Sequence, residues 1–317
     1  MSLSNFISLS VVVPCYNEEA TLPLFYEEML KQIVSLKESG ALEEYEFVFV
    51  DDGSKDSTAF ILRALAGRDD RVRYIILSRN FGKEAAIFAG LQKASGAYTV
   101  VMDADLQDPP SLIPQMLETV SSGAFDCAGT RRVTRKGEPP IRSFFARNFY
   151  RFMAKLSDIE VVDGARDFRL MNSIYKDAVL SLQERNRFSK GIFPWVGFQT
   201  KWFEYENVNR MAGETKWSLG KLFLYSLNGI TAFSSKPLAF ASICGMIAFL
   251  ISSAFIVFII IRKIIWGDPV AGWASTICII LLVSGIQLFS IGILGQYLAK
   301  TYTEVKQRPH FIIREQK

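Results

Sequence analysis

Along the first half of the chain, short apolar runs alternate with stretches in which apolar residues recur every three or four positions. The runs at 8–14, 45–52, 72–78, 98–105 and 125–130 predict strands. The stretches at 22–36, 57–66 and 83–94 predict amphipathic helices. Alternation of this kind predicts an α/β fold, a mainly parallel sheet with helices on both faces. Further on the pattern changes. No charged residue occurs from 237 to 261, and none from 269 to 299. Each interval exceeds the ~20 apolar residues that a bilayer-crossing helix needs, and buried helices of soluble proteins rarely run so long.

Two transmembrane helices are therefore predicted, at 237–261 and 273–298. They divide the chain into a catalytic-sized domain at 1–213, a juxtamembrane segment at 214–236, a short outer loop at 262–272 and a tail at 299–317. The opening MSLSNFISLSVVVP lacks the basic start and cleavage site of a secretory signal. The domain is thus expected on the cytoplasmic side, and two spans return the tail to the same side. Lys300, Lys306, Arg308, Arg314 and Lys317 against Glu304 and Glu315 agree, whereas Arg262 and Lys263 in the outer loop lean the other way. The tail's RPHFIIRE has strand character and is expected to pair with a neighbouring sheet edge or with another subunit, as in a homo-oligomer.

Half of the 317 residues are hydrophobic, and the two spans account for the excess. The net charge of only +4 gives nucleic-acid binding little support. Four cysteines without a CxxC pair suit neither zinc nor a disulfide framework. The single histidine, His310, excludes a His-based triad or a multi-His metal site.

In an open parallel sheet, ligands bind beyond the carboxyl ends of the strands. Here those ends read Tyr16-Asn17-Glu18-Glu19, Asp51-Asp52, Arg79-Asn80, Asp103-Ala104-Asp105 and Arg131-Arg132. Five consecutive polar ends define a cleft. Asp103 and Asp105, two apart on an extended segment, would point the same way. Their repulsion calls for a cation, and Mg²⁺ or Mn²⁺ binds through one or two carboxylates plus substrate phosphates. Asp108, before two prolines, is expected to cap the following helix. Arg79, Lys83, Arg131, Arg132, Arg166, Arg169 and Lys216 are candidate partners for a diphosphate.

The segments VVVPCYNEE, VDDGSKDST, LSRNFGKEAA, DADLQDPP, DFRLM and GETKWS, in this order and followed by two spans, resemble the polyprenyl-phosphate glycosyltransferases. These are inverting family-two enzymes with a GT-A fold, similar to dolichyl-phosphate mannose synthase and most similar to bactoprenol glucosyltransferases of the O-antigen glucosylation type. The resemblance implies a UDP-sugar donor, glucose or N-acetylglucosamine, a polyprenyl-phosphate acceptor, and a multi-pass protein of the bacterial inner (plasma) membrane. It implies that Pro14, Tyr16, Glu18, Asp52 and Lys83 bind the nucleotide sugar, with Asp103. Asp103, Asp105 and Gln107 would organise the metal and diphosphate. Arg131, Arg169 and Lys216 would meet phosphate, and Asp167 matches the acid assigned as base. A phosphate monoester is largely dianionic at neutral pH. Charge neutralisation is therefore expected to dominate, with Asp167 orienting rather than deprotonating.

The segment 131–155 carries eight basic residues and one acid, with Ile141, Phe144, Phe145, Phe149 and Phe152 at near-helical spacing. It fits equally a helix at the membrane surface, over 131–156, or one packed on the sheet. A processive polysaccharide synthase would need more spans and a QxxRW signature, which the chain lacks. A non-catalytic membrane adaptor would not need the intact DxD and DDGS segments.

Overall fold

The computed structural model describes residues 7–133, 162, 164–206, 236–266 and 272–317. Five strands lie where the apolar runs predict them: β1 (Ser8–Cys15), β2 (Glu44–Asp51), β3 (Val72–Leu77), β4 (Tyr98–Val101) and β5 (Cys127–Arg132). Helices α1 (Leu22–Glu38), α2 (Thr58–Arg68) and α3 (Lys83–Lys93) connect the first four. A 3₁₀ turn (Pro110–Leu112) leads into α4 (Ile113–Ser121). Beyond them come β6 (Ala165–Asn172), α5 (Ser173–Ser181), α6 (Ser189–Trp195) and β7 (Thr200–Tyr205). The chain continues with α7 (Lys236–Trp266), α8 (Trp273–Val305) and β8 (Ile313–Gln316).

The eight strands form one sheet in the order β7-β5-β6-β4-β1-β2-β3-β8. Only β6 and β8 run against the rest, so the sheet is mainly parallel as expected. Alternate residues of each strand enter opposite cores. Val11, Val13, Phe47 and Phe49 face α1, α2 and α4, with Phe25, Met29, Leu62 and Met116. Val12, Val48 and Val50 face α3, α5 and α6, with Ile87, Tyr175 and Phe193. Burial of each such side chain contributes roughly 1.5–3 kcal/mol. The second layer is close-packed: a Cβ on Gly90 of α3 would lie 2.3 Å from Val12 Cγ1. Cys15 and Cys127 are buried free thiols.

Two differences from expectation bear on the site. β4 ends at Val101, not at Asp105, and Asp103–Asp108 form an irregular turn. Asp105 Oδ1 accepts the Gln107 amide at 3.2 Å, and Leu106 adopts a φ of 53°. A short carboxylate bonded to the backbone two residues on competes with strand pairing, so the two aspartates do not alternate along one strand. Second, β6 inserts antiparallel between β4 and β5 and begins at the edge where they end. It thereby brings Arg166 and Asp167 beside the turn.

α7 and α8 contain windows, Leu238–Phe255 and Leu282–Val305, that are apolar and long enough to cross a membrane, and only 6% and 0% of those windows are buried. Buried core helices would show the opposite. After α8 the tail returns to the sheet, where β8 pairs with β3 in the register Ile75↔Gln316 and Ile76↔Glu315. Of the two pairings expected for RPHFIIRE, the sheet edge of the same chain is the one formed. Arg63 grips Glu315 with Nε at 2.9 Å and Nη2 at 2.7 Å, and Tyr74 Oη adds a bond at 2.8 Å. His310 packs edge-on against Phe88, with centroids 4.7 Å apart. Of the helix expected over 131–156, Arg131 and Arg132 instead end β5, where they pair with β7, and 134–156 lies outside the described residues, as does the expected juxtamembrane segment 214–236 up to Lys236, the first residue of α7.

Candidate active site

The loops after β1 and β2 are laced together. Asn17, at φ 56°, donates its amide to Ser54 Oγ at 2.8 Å and accepts the Lys55 amide at 2.9 Å. The Glu18 amide donates to Thr58 Oγ1 at 2.9 Å. Gly53 is required here: at φ +67°, its Cβ would lie 2.4 Å from the Arg79 carbonyl carbon. The backbone of DDG therefore touches the loop after β3. Asp52 fixes that contact, accepting the Phe81 amide at 2.7 Å on one oxygen and the Gly82 amide at 2.9 Å on the other. Burial pushes its carboxyl up, and these amides oppose the shift. Tyr16 is exposed beside Pro14, on the same rim.

Asp52 thus sets the start of α3, whose first residue is Lys83. The Lys83 ammonium lies 2.7 Å from Asp103 and 2.5 Å from Asp167. Burial disfavours its charge, but the two carboxylates outweigh burial and raise it well above the ordinary lysine value. Burial raises the Asp103 carboxyl, with Lys83 opposing and Asp167 adding to the rise. Burial also works against the charge of Asp167. There Lys83, then Lys190, more than compensate, and the carboxyl is held well below the usual range.

A second cluster braces the first. Asp108 is 1% exposed. It receives Arg166 Nε at 3.1 Å and the Tyr205 hydroxyl, and Arg132 stands 3.9 Å away. Asp108 therefore does not cap the following helix: the turn begins after Pro109, and the carboxylate ties β5, β6 and β7 to the DADLQDPP turn. Arg166 also stands 3.9 Å from Asp103. Gln107 Oε1 accepts Arg132 Nη2 at 2.9 Å.

The structure brings together Lys83, Asp103 and Asp167; Asp105 and Gln107 lie on the same turn as Asp103, and Asp52, Glu18 and Tyr16 follow the neighbouring strands β2 and β1. Arg131 sits at the end of β5, paired with Glu204 through Nε at 3.0 Å. Arg169 is not brought to the cluster. It lies two residues, ~7 Å, further along β6 than Asp167, 2% exposed, with its guanidinium 3.6 Å from the Phe193 ring. An arginine packed inside this core is not presented to a phosphate. Lys216 lies outside the described residues.

Three participants escaped the sequence reading: Glu84, Ser189 and Lys190. Glu84 accepts the Ser189 amide at 3.0 Å and its hydroxyl, so the start of α6 is fastened to the start of α3. An acid in a helix's first turn is a general helix signal, and RFSKG follows no predicted strand. Neither marks a site.

Among the described residues, no group of three or more acidic, histidine or cysteine side chains forms a metal cage. Glycosyl transferase family 2 matches the chain over residues 10–177. An uncharacterized glycosyltransferase of Bacillus subtilis (strain 168), YkcC, is 40% identical over 313 residues, covering 99% of this chain and 95% of its own. The SfII prophage-derived bactoprenol glucosyl transferase of Shigella flexneri is 40% identical over 309 residues, 98% of each chain. Glucosyl-3-phosphoglycerate synthase from Mycobacterium tuberculosis, solved with Mn²⁺, uridine diphosphate and phosphoglyceric acid, gives a TM-score of 0.47 at 20% identity, covering 71% of this chain and 76% of its own.

Proposed function

The chain belongs to glycosyl transferase family 2, and from that membership we propose that it transfers glucose from UDP-glucose to bactoprenol phosphate at a membrane surface. The GT-A fold of the family, with its mainly parallel sheet, accounts for the cleft. The observation that carries the reading is the Lys83 bridge between Asp103 and Asp167. It places two acids and a cation where the sheet's carboxyl edge meets the DADLQDPP turn.

In this reading an oxygen of the lipid phosphate attacks the anomeric carbon of glucose. The bond from that carbon to the β-phosphate oxygen breaks, UDP leaves, and configuration inverts. The nucleophile is already a dianion at neutral pH, so no proton has to be removed. The difficulty is the meeting of two anions, which positioned cations relieve. Asp167, held ionised by Lys83 and Lys190, is a weak proton acceptor and serves to position those ammonium groups. Pro14, Tyr16, Glu18 and Asp52 form the nucleoside end. Arg131, now paired with Glu204, and Lys216 are the proposed phosphate ligands.

A divalent cation fits the donor set. Asp103 and Asp105 supply hard carboxylate oxygens, and the crowded Asp103 already draws an ammonium to 2.7 Å. Two such ligands plus substrate phosphates suit Mg²⁺ or Mn²⁺, which would supply charge neutralisation on the diphosphate. Gln107, engaged with Arg132, would adjoin this site.

α7 and α8 would cross the cytoplasmic membrane, leaving the cleft on the cytoplasmic side. At ~1.5 Å per residue, helices of 31 and 33 residues are roughly 46 and 50 Å long. Both exceed the ~30 Å hydrocarbon core, so the last turns of α8 would emerge among the headgroups.

The test is to incubate the purified full-length chain with Mn²⁺, undecaprenyl phosphate and, separately, UDP-glucose, UDP-N-acetylglucosamine and a GDP-sugar, and to weigh the lipid product. A hexose-phospholipid formed only with UDP-glucose is expected. No lipid product from any donor would overturn the reading.

A further inference from the structure

Glu304, in the last turn of α8, accepts the backbone amides of Arg185 and Asn186 at 2.7 and 3.2 Å. Four residues on, the Ser189 amide and hydroxyl are held by Glu84, next to Lys83. The short segment 185–189 is thus tied at one end to a long apolar helix and at the other to the catalytic cluster. Lys190 follows directly. At no more than ~3.5 Å per residue, it lies within roughly 17 Å of chain from the Glu304 tether.

The other described cations around the cleft already have partners. Lys83 holds Asp103 and Asp167, Arg166 holds Asp108, Arg132 holds Gln107, and Arg131 holds Glu204. Arg79 lies over the Phe81 ring at 4.0 Å and bonds its own loop. Lys190 makes no ion pair within 4 Å among the described residues, yet its charge acts on Asp167. It is half-exposed. An ammonium without an ion pair among the described residues therefore follows directly on the Glu84–Ser189 clamp, at the end of the segment that starts from the Glu304 tether.

We infer that Lys190 is the receptor for the acceptor's phosphate, held in register by the Glu84–Ser189 clamp, and that the lipid headgroup reaches Asp167 along the segment 185–190. This rests on the lipid-phosphate reading above. The charges support it: Lys83 is matched by two carboxylates, so an arriving phosphate dianion needs a further positive group. Arg187, by contrast, is turned inward, 4.2 Å from the Phe88 ring, with Nη2 on the Val179 carbonyl.

The test compares the wild type with Lys190→Gln and Lys190→Arg, as full-length chains in the same liposomes, varying undecaprenyl phosphate and UDP-glucose in turn. Lys190→Gln should raise the KM for the lipid at least tenfold and leave the KM for UDP-glucose within twofold. Lys190→Arg should recover most of the lost lipid affinity. An unchanged lipid KM, or an equal rise in both KM values, would overturn the inference, the latter because Lys190 would then serve the donor's phosphates or the fold. Absence of transfer by the wild type would instead remove the parent reading, so the two failures are separable.

Discussion

The ammonium of Lys83 stands between Asp103 and Asp167, 2.7 Å from one carboxylate and 2.5 Å from the other. One cation thereby links the turn after β4 to the start of β6, whose later residues, Arg169–Asn172, pair antiparallel with β4. Lys83 also occupies an oxygen that a metal would require. Replacing it with Met removes a catalytic cation and a competitor at once. The expected outcome is a fall in kcat of about 100-fold, the usual scale for a lost electrostatic donor, with a lower concentration of Mn²⁺ at half-maximal rate. A metal titration of Lys83→Met checks both, and an unchanged half-maximal concentration would show that lysine and metal do not share Asp103.

Asp167 gives a pH prediction of definite sign. Burial opposes its charge, but Lys83, Lys190 and Arg166 hold the carboxyl below the ordinary value near ~3.9. A depressed value means that its ionic contribution to stability is complete above the ordinary value and lost only as pH falls through the lower one. Across pH 5–9 the group stays ionised. Asp167→Asn should therefore reduce kcat by a similar factor at every pH in that range. A defect that disappears as pH rises would identify a true base and contradict the electrostatic role.

Two ion pairs of similar geometry should differ widely in their effect on stability. Asp108 is 1% exposed and answers Arg166, Arg132 and Tyr205. Asp108→Ala removes the carboxylate that is hydrogen-bonded to Arg166 and leaves only Asp103, 3.9 Å away, a loss of about 3–5 kcal/mol for a broken buried pair. Glu315 meets Arg63 on the surface, with side chains 36% and 46% exposed, where solvent screens the pair and leaves it little net effect on stability. Thermal melting should show a large fall for Asp108→Ala and little change for Glu315→Ala.

The parallel half of the fold was legible because each strand there is an apolar run buried on both faces, as in Val11–Val12–Val13. β6 was not, because its buried face carries Arg169 and its first turn carries Arg166 and Asp167, which mask the alternation of Phe168 and Leu170. The strand-end rule pointed to Asp52, Asp103, Asp105 and Lys83, each one to six residues past the observed end of β2, β4 or β3. It could not find Glu84, Ser189 or Lys190. Their positions depend on α6 docking against α3, a tertiary contact without a local pattern. The cap expected of Asp108 is not formed, because its partners arrive from β6 and β7, and Arg169, near Asp167 in sequence, is packed against Phe193 instead.

Charge crowding at Asp103 predicts a metal requirement. Asp103 is raised by burial first, and Asp167 adds to the rise. Chelation of Mn²⁺ and Mg²⁺ should abolish transfer, and re-addition should restore it. Asp105→Asn should raise the metal requirement at least tenfold while leaving the fold intact, since its described backbone bond, to the Gln107 amide, survives with the amide oxygen of asparagine. Normal transfer in excess chelator would remove the metal from the account.

The final prediction concerns the tether at Glu304. Its carboxylate is the acceptor for two backbone amides at the start of the segment leading to Lys190. β8 holds the tail to β3 independently through Arg63, Tyr74 and the strand ladder, so Glu304→Ala should not detach the domain from α8. It should loosen residues 185–188 and leave the Glu84–Ser189 bonds in place. Hydrogen exchange should therefore speed up at Arg185 and Asn186 and stay slow at Ser189. In liposomes the variant should use long-chain undecaprenyl phosphate less efficiently, whereas a short, water-soluble prenyl phosphate, which needs no path from the bilayer, should be used as well as by the wild type. Equal losses with both acceptors would mean that Glu304 supports the catalytic cluster itself, and not the route by which a lipid reaches it.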